Sequence, residues 1–278
     1  MILTRLVDRW IGAKPWRLAE AHVVVTGGSA GIGFEIARLC AVGGADVTLI
    51  ARDQARLDQA AARLRADASG RVETIAADLA TTSGLATALS ELLEKDRPVD
   101  LLVNAAGIGI SGPALEVPQP ATSELLDLNA RAVMHLTRAV MPAMQVRRFG
   151  GVITISSFGG VVPGPYQADY YASKAHLNSW MEALAWEVRK TGVRVAVVLP
   201  GPVETEFHAR MGAESALYRR GFPAMSPTRV AKSAMFGFAV GRTTIVPGPV
   251  FGLLYPLLGI VPRKVVAAVV GTSLKPRD

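Results

Sequence analysis

The sequence predicts an α/β protein, a doubly wound parallel sheet of about seven strands with helices on both faces. Two observations carry this. Short β-branched or leucine-rich runs at 22–26, 46–51, 72–77, 99–104, 151–156, 193–199 and 243–246 alternate with segments of helix length. The runs are apolar at nearly every position, as strands covered on both faces must be, whereas half-exposed antiparallel strands alternate. Half of the 278 residues are apolar, which suits one large core.

The elements follow in order. Residues 2–11 place Ile2, Leu3, Leu6, Val7, Trp10 and Ile11 on one side of a helix and Arg5, Asp8 and Arg9 on the other, so 1–20 reads as an amphipathic extension before the domain. The domain proper is expected at 21–250, with a lid at about 202–226 and an apolar, basic extension at 251–278. The alanine-rich stretch 55–68 reads as an ordinary helix, and Cys40 as core packing within another. The uncharged run from Thr243 to Pro262 approaches the ~20 residues that span a bilayer. Pro247, Pro249, Pro256 and three glycines break it, and a strand followed by a short apolar helix is expected instead.

Composition excludes several classes. One cysteine allows no internal disulfide and no cysteine-rich metal cluster. Arg5, Asp8 and Arg9 interrupt any secretory core, so a cytoplasmic location is expected. The net charge of +7 suits anionic ligands or acidic lipid as well as a solvated arginine-rich surface, and no basic run interleaved with aromatics points to nucleic acid. Glu204, Glu206 and His208 alternate without a fourth partner, so no metal site is predicted.

After the first strand comes Thr26-Gly27-Gly28-Ser29-Ala30-Gly31-Ile32-Gly33, then a helical pattern with Ile36, Ala37, Leu39 and Cys40. Glycines permit a tight turn and close backbone approach, and the following helix N-terminus offers N–H groups to a pyrophosphate. Strand, turn and helix in this order predict a Rossmann-like dinucleotide site. At the end of the second strand stand Ala51, Arg52 and Asp53. An arginine there can pair with a 2′-phosphate, which favours NADP(H); Asp53 reads as the cap of the next helix.

The segment Tyr170-Tyr171-Ala172-Ser173-Lys174 carries the chemistry. A tyrosine and a lysine four apart share a helix face, and a nearby ammonium favours the phenolate over the phenol of pKa about 10. Tyr171, three residues from Lys174, satisfies the same spacing rule, whereas Tyr166 follows Gly164-Pro165 and falls before the helix.

These motifs resemble the short-chain dehydrogenase/reductase family over nearly all of residues 20–250. Thr26-Gly27 to Gly33 is similar to its TGxxxGxG loop, Asp78-Leu79 to the adenine-contacting pair, Asn104-Ala105-Ala106-Gly107 to NNAG and Pro200-Gly201-Pro202-Val203-Glu204-Thr205 to PGxxxT. Asn129, Ser157, Tyr170 and Lys174 match the catalytic tetrad, and the YxASK form selects Tyr170. The resemblance implies cofactor contacts from Gly27, Ser29, Gly31, Ile32, Gly33, Arg52, Asp78, Leu79, Asn104, Gly107, Tyr170, Lys174, Pro200, Gly201, Val203 and Thr205. It further implies carbonyl reduction, with Tyr170 as proton donor, Ser157 holding the carbonyl oxygen, Lys174 supporting Tyr170 and the ribose, and Asn129 placing a water. Ala105 departs from the pattern, removing a side-chain amide beside the cofactor.

Phe207, Met211, Leu217, Tyr218, Phe222 and Met225 in the lid favour a hydrophobic carbonyl substrate, such as a 3-oxoacyl or lipid-like ketone. The C-terminal pattern resembles a subgroup of bacterial reductases and lipid-metabolising relatives. Relatives are commonly homodimers or homotetramers. Both chain ends pair apolar with basic residues, which suits packing on the domain or a second subunit and, less directly, the inner membrane face. The competing reading is a cofactor-binding scaffold without turnover, against which Ser157, Tyr170 and Lys174 stand; an NAD-dependent dehydrogenase would have no use for Arg52.

Overall fold

The computed structural model describes residues 18–94, 97–211 and 224–275. The helix expected at 2–11 and the lid residues Leu217, Tyr218 and Phe222 lie outside them. Seven parallel strands form one sheet: β1 (His22–Thr26), β2 (Asp46–Ala51), β3 (Val72–Ala76), β4 (Leu101–Asn104), β5 (Gly150–Ile155), β6 (Val193–Val198) and β7 (Thr244–Ile245). Their order is β3-β2-β1-β4-β5-β6-β7, so the chain reverses direction across the sheet between β1 and β4. Ligands of such sheets bind at that reversal, outside the carboxyl ends of the strands.

The continuous apolar runs are explained by the helices on either side. Val23, Val25, Val47, Leu49, Leu101 and Val103 face one layer, packed by α1 (Gly31–Val42), α2 (Gln54–Arg65) and α8 (Pro227–Ala239). Their neighbours Val24, Ile50, Leu102, Val152 and Val197 face the other layer, with α3 (Thr82–Leu93), α5 (Val133–Arg147) and α6 (Ala168–Val188). Period-two alternation thus persists, but both faces are core. Cys40 is fully buried in the first layer, where desolvation raises its thiol to about 12 and leaves it inert.

Helix starts follow local chemistry. Asp53 caps α2 by accepting from Arg56 N, Thr81 caps α3 through Gly84 N, and Ser226 caps α8 through Arg229 N. Between α4 (Gln119–Leu126) and α5 the chain makes a π-helical turn, Asp127–Ala132, that turns Asn129 inward. Such turns cluster at functional sites. After β7 come α9 (Pro249–Leu257), as expected from Thr243 to Pro262, and α10 (Arg263–Leu274). The short α7 (Phe207–Arg210) falls in the stretch expected as a lid, and a parallel bridge joins Val203 to Met225.

Candidate active site

The carboxyl ends of the strands border a cavity of about 1610 Å³. One ligand of drug size occupies ~300–1,000 Å³, so the space suits a dinucleotide together with a second molecule. All the residues expected to bind cofactor line it except Asn104.

One half of the cavity is built from backbone. Gly27 and Gly31 adopt φ of +65° and +58°, where side-chain-bearing residues are strained. A Cβ on Gly33 would stand 2.5 Å from Gly27 O, so this glycine lets α1 sit directly behind the turn. The N-cap of α1, Ala30, has no side chain able to cap, unlike those of α2, α3 and α8. Its first N–H groups are therefore left for an anion at the positive end of the helix dipole.

Thr26 Oγ1 accepts from Ala105 N (3.1 Å) and Ala106 N (3.2 Å), which joins the ends of β1 and β4. These bonds use backbone N–H groups, so they do not depend on the side chain at position 105. Asn104 requires a correction: its side chain is buried beneath the cavity, donating to Thr137 Oγ1 (3.2 Å) and Thr154 Oγ1 (3.3 Å). It braces the β4 end instead of lining the space, because its position alternates into the second core layer.

At the far end of this half, Arg52 lies 3.6 Å from Glu124 Oε1 with 65% of its side chain exposed, free to turn toward a phosphate. Arg56, one turn along α2, also lines the cavity and pairs with Glu206 at 2.9 Å. The sequence reading missed Arg56, whose place in the first turn of α2, just after the Asp53 cap, brings it to the same end of the sheet as Arg52. Glu206 also pairs with Arg210, so it acts here as an anchor for arginines. Asp78 Oδ1 accepts from Ala80 N (3.0 Å), fixing the loop after β3 against the same end.

The residues expected to be catalytic come from three elements. Ser157 follows β5 and caps a 3₁₀ turn, Phe158–Val161; its oxygen accepts from Gly159 N (3.0 Å), leaving the hydroxyl proton to donate. Tyr170 lies in the first turn of α6 with its ring buried, and Lys174 follows one turn later with Nζ 5.8 Å from the ring centre. Lys174 Nζ donates to Ile155 O (3.2 Å), and Ser156 Oγ donates to Lys174 O (3.2 Å), so α6 is pinned to β5 at this point. Burial lowers the Lys174 ammonium to about 8.

The other tyrosines are placed elsewhere. The Tyr171 ring lies on the loop after β5, where a Cβ on Gly164 would come within 2.2 Å of it, and Tyr166 precedes the helix with φ +65°. Asn129 is fully buried and does not line the cavity. Its Nδ2 donates to Ile108 O (2.8 Å) and Ser173 Oγ (3.1 Å), and its Oδ1 accepts from Ile108 N (2.9 Å). Ser173 in turn donates to Tyr170 O (2.7 Å). With both amide protons committed, Asn129 is a brace that holds α6 and the β4 loop in register. A Cβ on Gly107 would lie 3.1 Å from Asn129 Oδ1 and 3.5 Å from Lys174 Nζ, so this glycine sits against both groups.

The other half of the cavity is apolar. Phe207 tilts against Tyr170 with ring centres 5.4 Å apart, and Met211 packs in the same cluster with Leu125. Phe158 meets Phe251 edge-on at 4.7 Å, and Gly201 must lack a side chain because Phe251 would stand 2.2 Å from its Cβ. Leu254, Leu258, Val266, Val270 and Leu274 complete the wall. The segment from residue 251, set apart in the sequence as an extension, therefore encloses the site. Its apolar pattern announced helices but not what they would cover.

The strand order, the uncapped glycine turn and the buried tyrosine–lysine pair define a nucleotide-binding α/β oxidoreductase scaffold. The chain belongs to the short chain dehydrogenase family, whose sequence model matches residues 21–216. A short chain dehydrogenase of Pseudocercospora fijiensis is 37% identical over 195 residues, 69% of this chain and 63% of that protein. The 3-dehydrosphinganine reductase of Danio rerio is 33% identical over 257 residues, 90% of this chain and 77% of that protein. Among solved structures, a short-chain dehydrogenase from Sphingobium yanoikuyae in complex with NADPH superimposes with a TM-score of 0.77 at 30% identity, covering 87% of this chain and 97% of that one.

Proposed function

We propose that this protein is an NADP(H)-dependent reductase that converts a hydrophobic ketone or aldehyde to an alcohol. The observation that carries the reading is the Tyr170–Lys174 pair, buried where a glycine-built half of the cavity meets an apolar half. The cofactor fits the residues present: Gly27, Gly31 and Gly33 provide the close approach, the uncapped start of α1 suits the pyrophosphate, and Arg52 suits a 2′-phosphate. The bound NADPH of the Sphingobium yanoikuyae relative supports that assignment.

When bound, the reduced nicotinamide supplies the hydride that adds to the carbonyl carbon. Tyr170 donates its phenolic proton to the carbonyl oxygen, and Ser157 donates a hydrogen bond to the same oxygen and holds it in reach. The Lys174 ammonium stabilises the phenolate left on Tyr170, and the braces from Asn129 and Ser156 keep the two residues in place. Phe207, Met211 and the wall of α9 and α10 bind the apolar body of the substrate and exclude water. The names of relatives that reduce 3-dehydrosphinganine or ketoacyl groups support a lipid-like ketone.

The test is consumption of NADPH and of NADH by the purified protein with ketones of increasing chain length, 3-oxoacyl thioesters and short polar ketones. The expected result is turnover with NADPH that rises with chain length. Turnover confined to short polar ketones, or preference for NADH, would overturn the reading.

A further inference from the structure

The net charge of the chain sits in one segment. Residues 224–277 contain seven arginines and lysines and no aspartate or glutamate, while the other 23 basic residues are matched by the 23 acidic ones. The same segment concentrates exposed apolar surface. Of the fourteen large apolar side chains exposed among the described residues, seven fall between Val250 and Val269: on α9, in the turn at Ile260, and on α10. Leu253 is 70% exposed and Ile260 80%. Monomer surfaces rarely gather so much apolar area without a partner.

Arg263 and Lys264 occupy the first turn of α10, exposed and with no acidic residue there. Cations at a helix N-terminus oppose the helix dipole, so helix stability does not account for them. Val261, Val265 and Val269 are 39–62% exposed and also line the cavity, which makes the exposed face continuous with the mouth of the catalytic site.

We propose that α9 and α10 dock on an anionic lipid surface, with Arg263, Lys264 and Lys275 at the phosphate headgroups and Leu253, Leu257 and Ile260 in the acyl boundary. The mouth of the cavity then opens toward the lipid phase. Docking is in the plane of the surface, because no helix among the described residues is long and apolar enough to cross a membrane. A second copy fits this face poorly: a two-fold contact would bring like charges together in a segment with no carboxylate to answer them. The passage of substrate through the mouth rests on the lipid-like ketone reading above; the docking does not.

The experiment is co-sedimentation of the full-length protein with vesicles of mixed phosphatidylglycerol and phosphatidylcholine, against phosphatidylcholine alone, without substrate or cofactor. Binding is expected to the anionic vesicles and to weaken with salt. Arg263→Glu combined with Lys264→Glu, and Leu253→Asp combined with Ile260→Asp, should each lower partitioning by about tenfold or more, with oligomeric state and thermal melting unchanged. Absence of binding, equal binding to neutral vesicles, undiminished binding by the charge-reversed variant, or a variant that splits an oligomer would overturn the proposal. The charge-reversed variant alters only exposed side chains and decides the matter if the apolar one fails to fold. Failure here leaves the reductase reading standing, and failure of turnover leaves the docking standing.

Discussion

The glycine-built half of the cavity and the wall made by α9 and α10 border the same space, but they are specified in different ways. In the first, backbone does the positioning: Gly33 admits a contact with Gly27 O that any side chain would block, and Thr26 Oγ1 holds two N–H groups of the β4 loop. In the second, valines and leucines present interchangeable surface, and their positions depend on what they enclose. The comparison teaches that the cofactor half is held by unique geometry, whereas the other half, which the proposed function gives to the substrate, is apolar area that substitution can retune.

Four substitutions sharpen that contrast, beginning with the junction of the two halves. Tyr170→Phe should lower kcat by about 10²–10⁴-fold and weaken the Kd for NADPH by far less, measured by steady-state turnover beside cofactor fluorescence titration. Arg52→Ala, in the rigid half, should weaken NADPH by roughly ten- to a hundredfold and leave NADH affinity as it was, as expected for a lost charge-assisted hydrogen bond. Equal weakening of both cofactors would mean that Arg52 does not meet the 2′-phosphate.

Lys174 yields a pH signature. Burial holds its folded pKa at about 8, below the ordinary 10.5, so between these values the unfolded chain binds more protons and stability rises with pH. Below pH 8 both states carry the charge and the full cost of burying it is present. Urea denaturation should therefore find Lys174→Met more stable than the wild type below pH 8, by up to roughly 3 kcal/mol, with the gap closing as pH rises toward 10.5. The smallest effect is expected in the adaptable wall. Val270→Ser should raise KM for a long-chain ketone about threefold to tenfold and leave a short ketone unaffected, since one lost apolar contact is worth little; equal change for both would place Val270 outside the substrate path.

Much of this architecture was legible in the residues. Six of the seven strands fell within the apolar runs and β5 began one residue before its run, because burial on both faces leaves a dense signal, and the glycine turn with Tyr170 and Lys174 was readable because its chemistry tolerates few substitutes. Asn104 was misplaced because a motif assigns a residue to a neighbourhood and not to a face; its alternation with Val103 sends it into the core. The hydrogen bonds by which the Asn129 side chain braces α6 could not be read, because the π-helical turn that aims it inward has no sequence mark. Arg56 was passed over because one arginine already explained the phosphate. The role of α9 and α10 was hidden for a different reason: an apolar helix face shows that something is covered, and only the fold shows what.

The most direct test of the central claim follows the hydride itself. With NADPH deuterated at the transferring nicotinamide carbon and a long-chain ketone, mass spectrometry of the product should find deuterium on the former carbonyl carbon for the wild type and almost none for Tyr170→Phe in the same time. Absence of label from the wild-type product of every ketone tested, or undiminished transfer by Tyr170→Phe, would contradict the account.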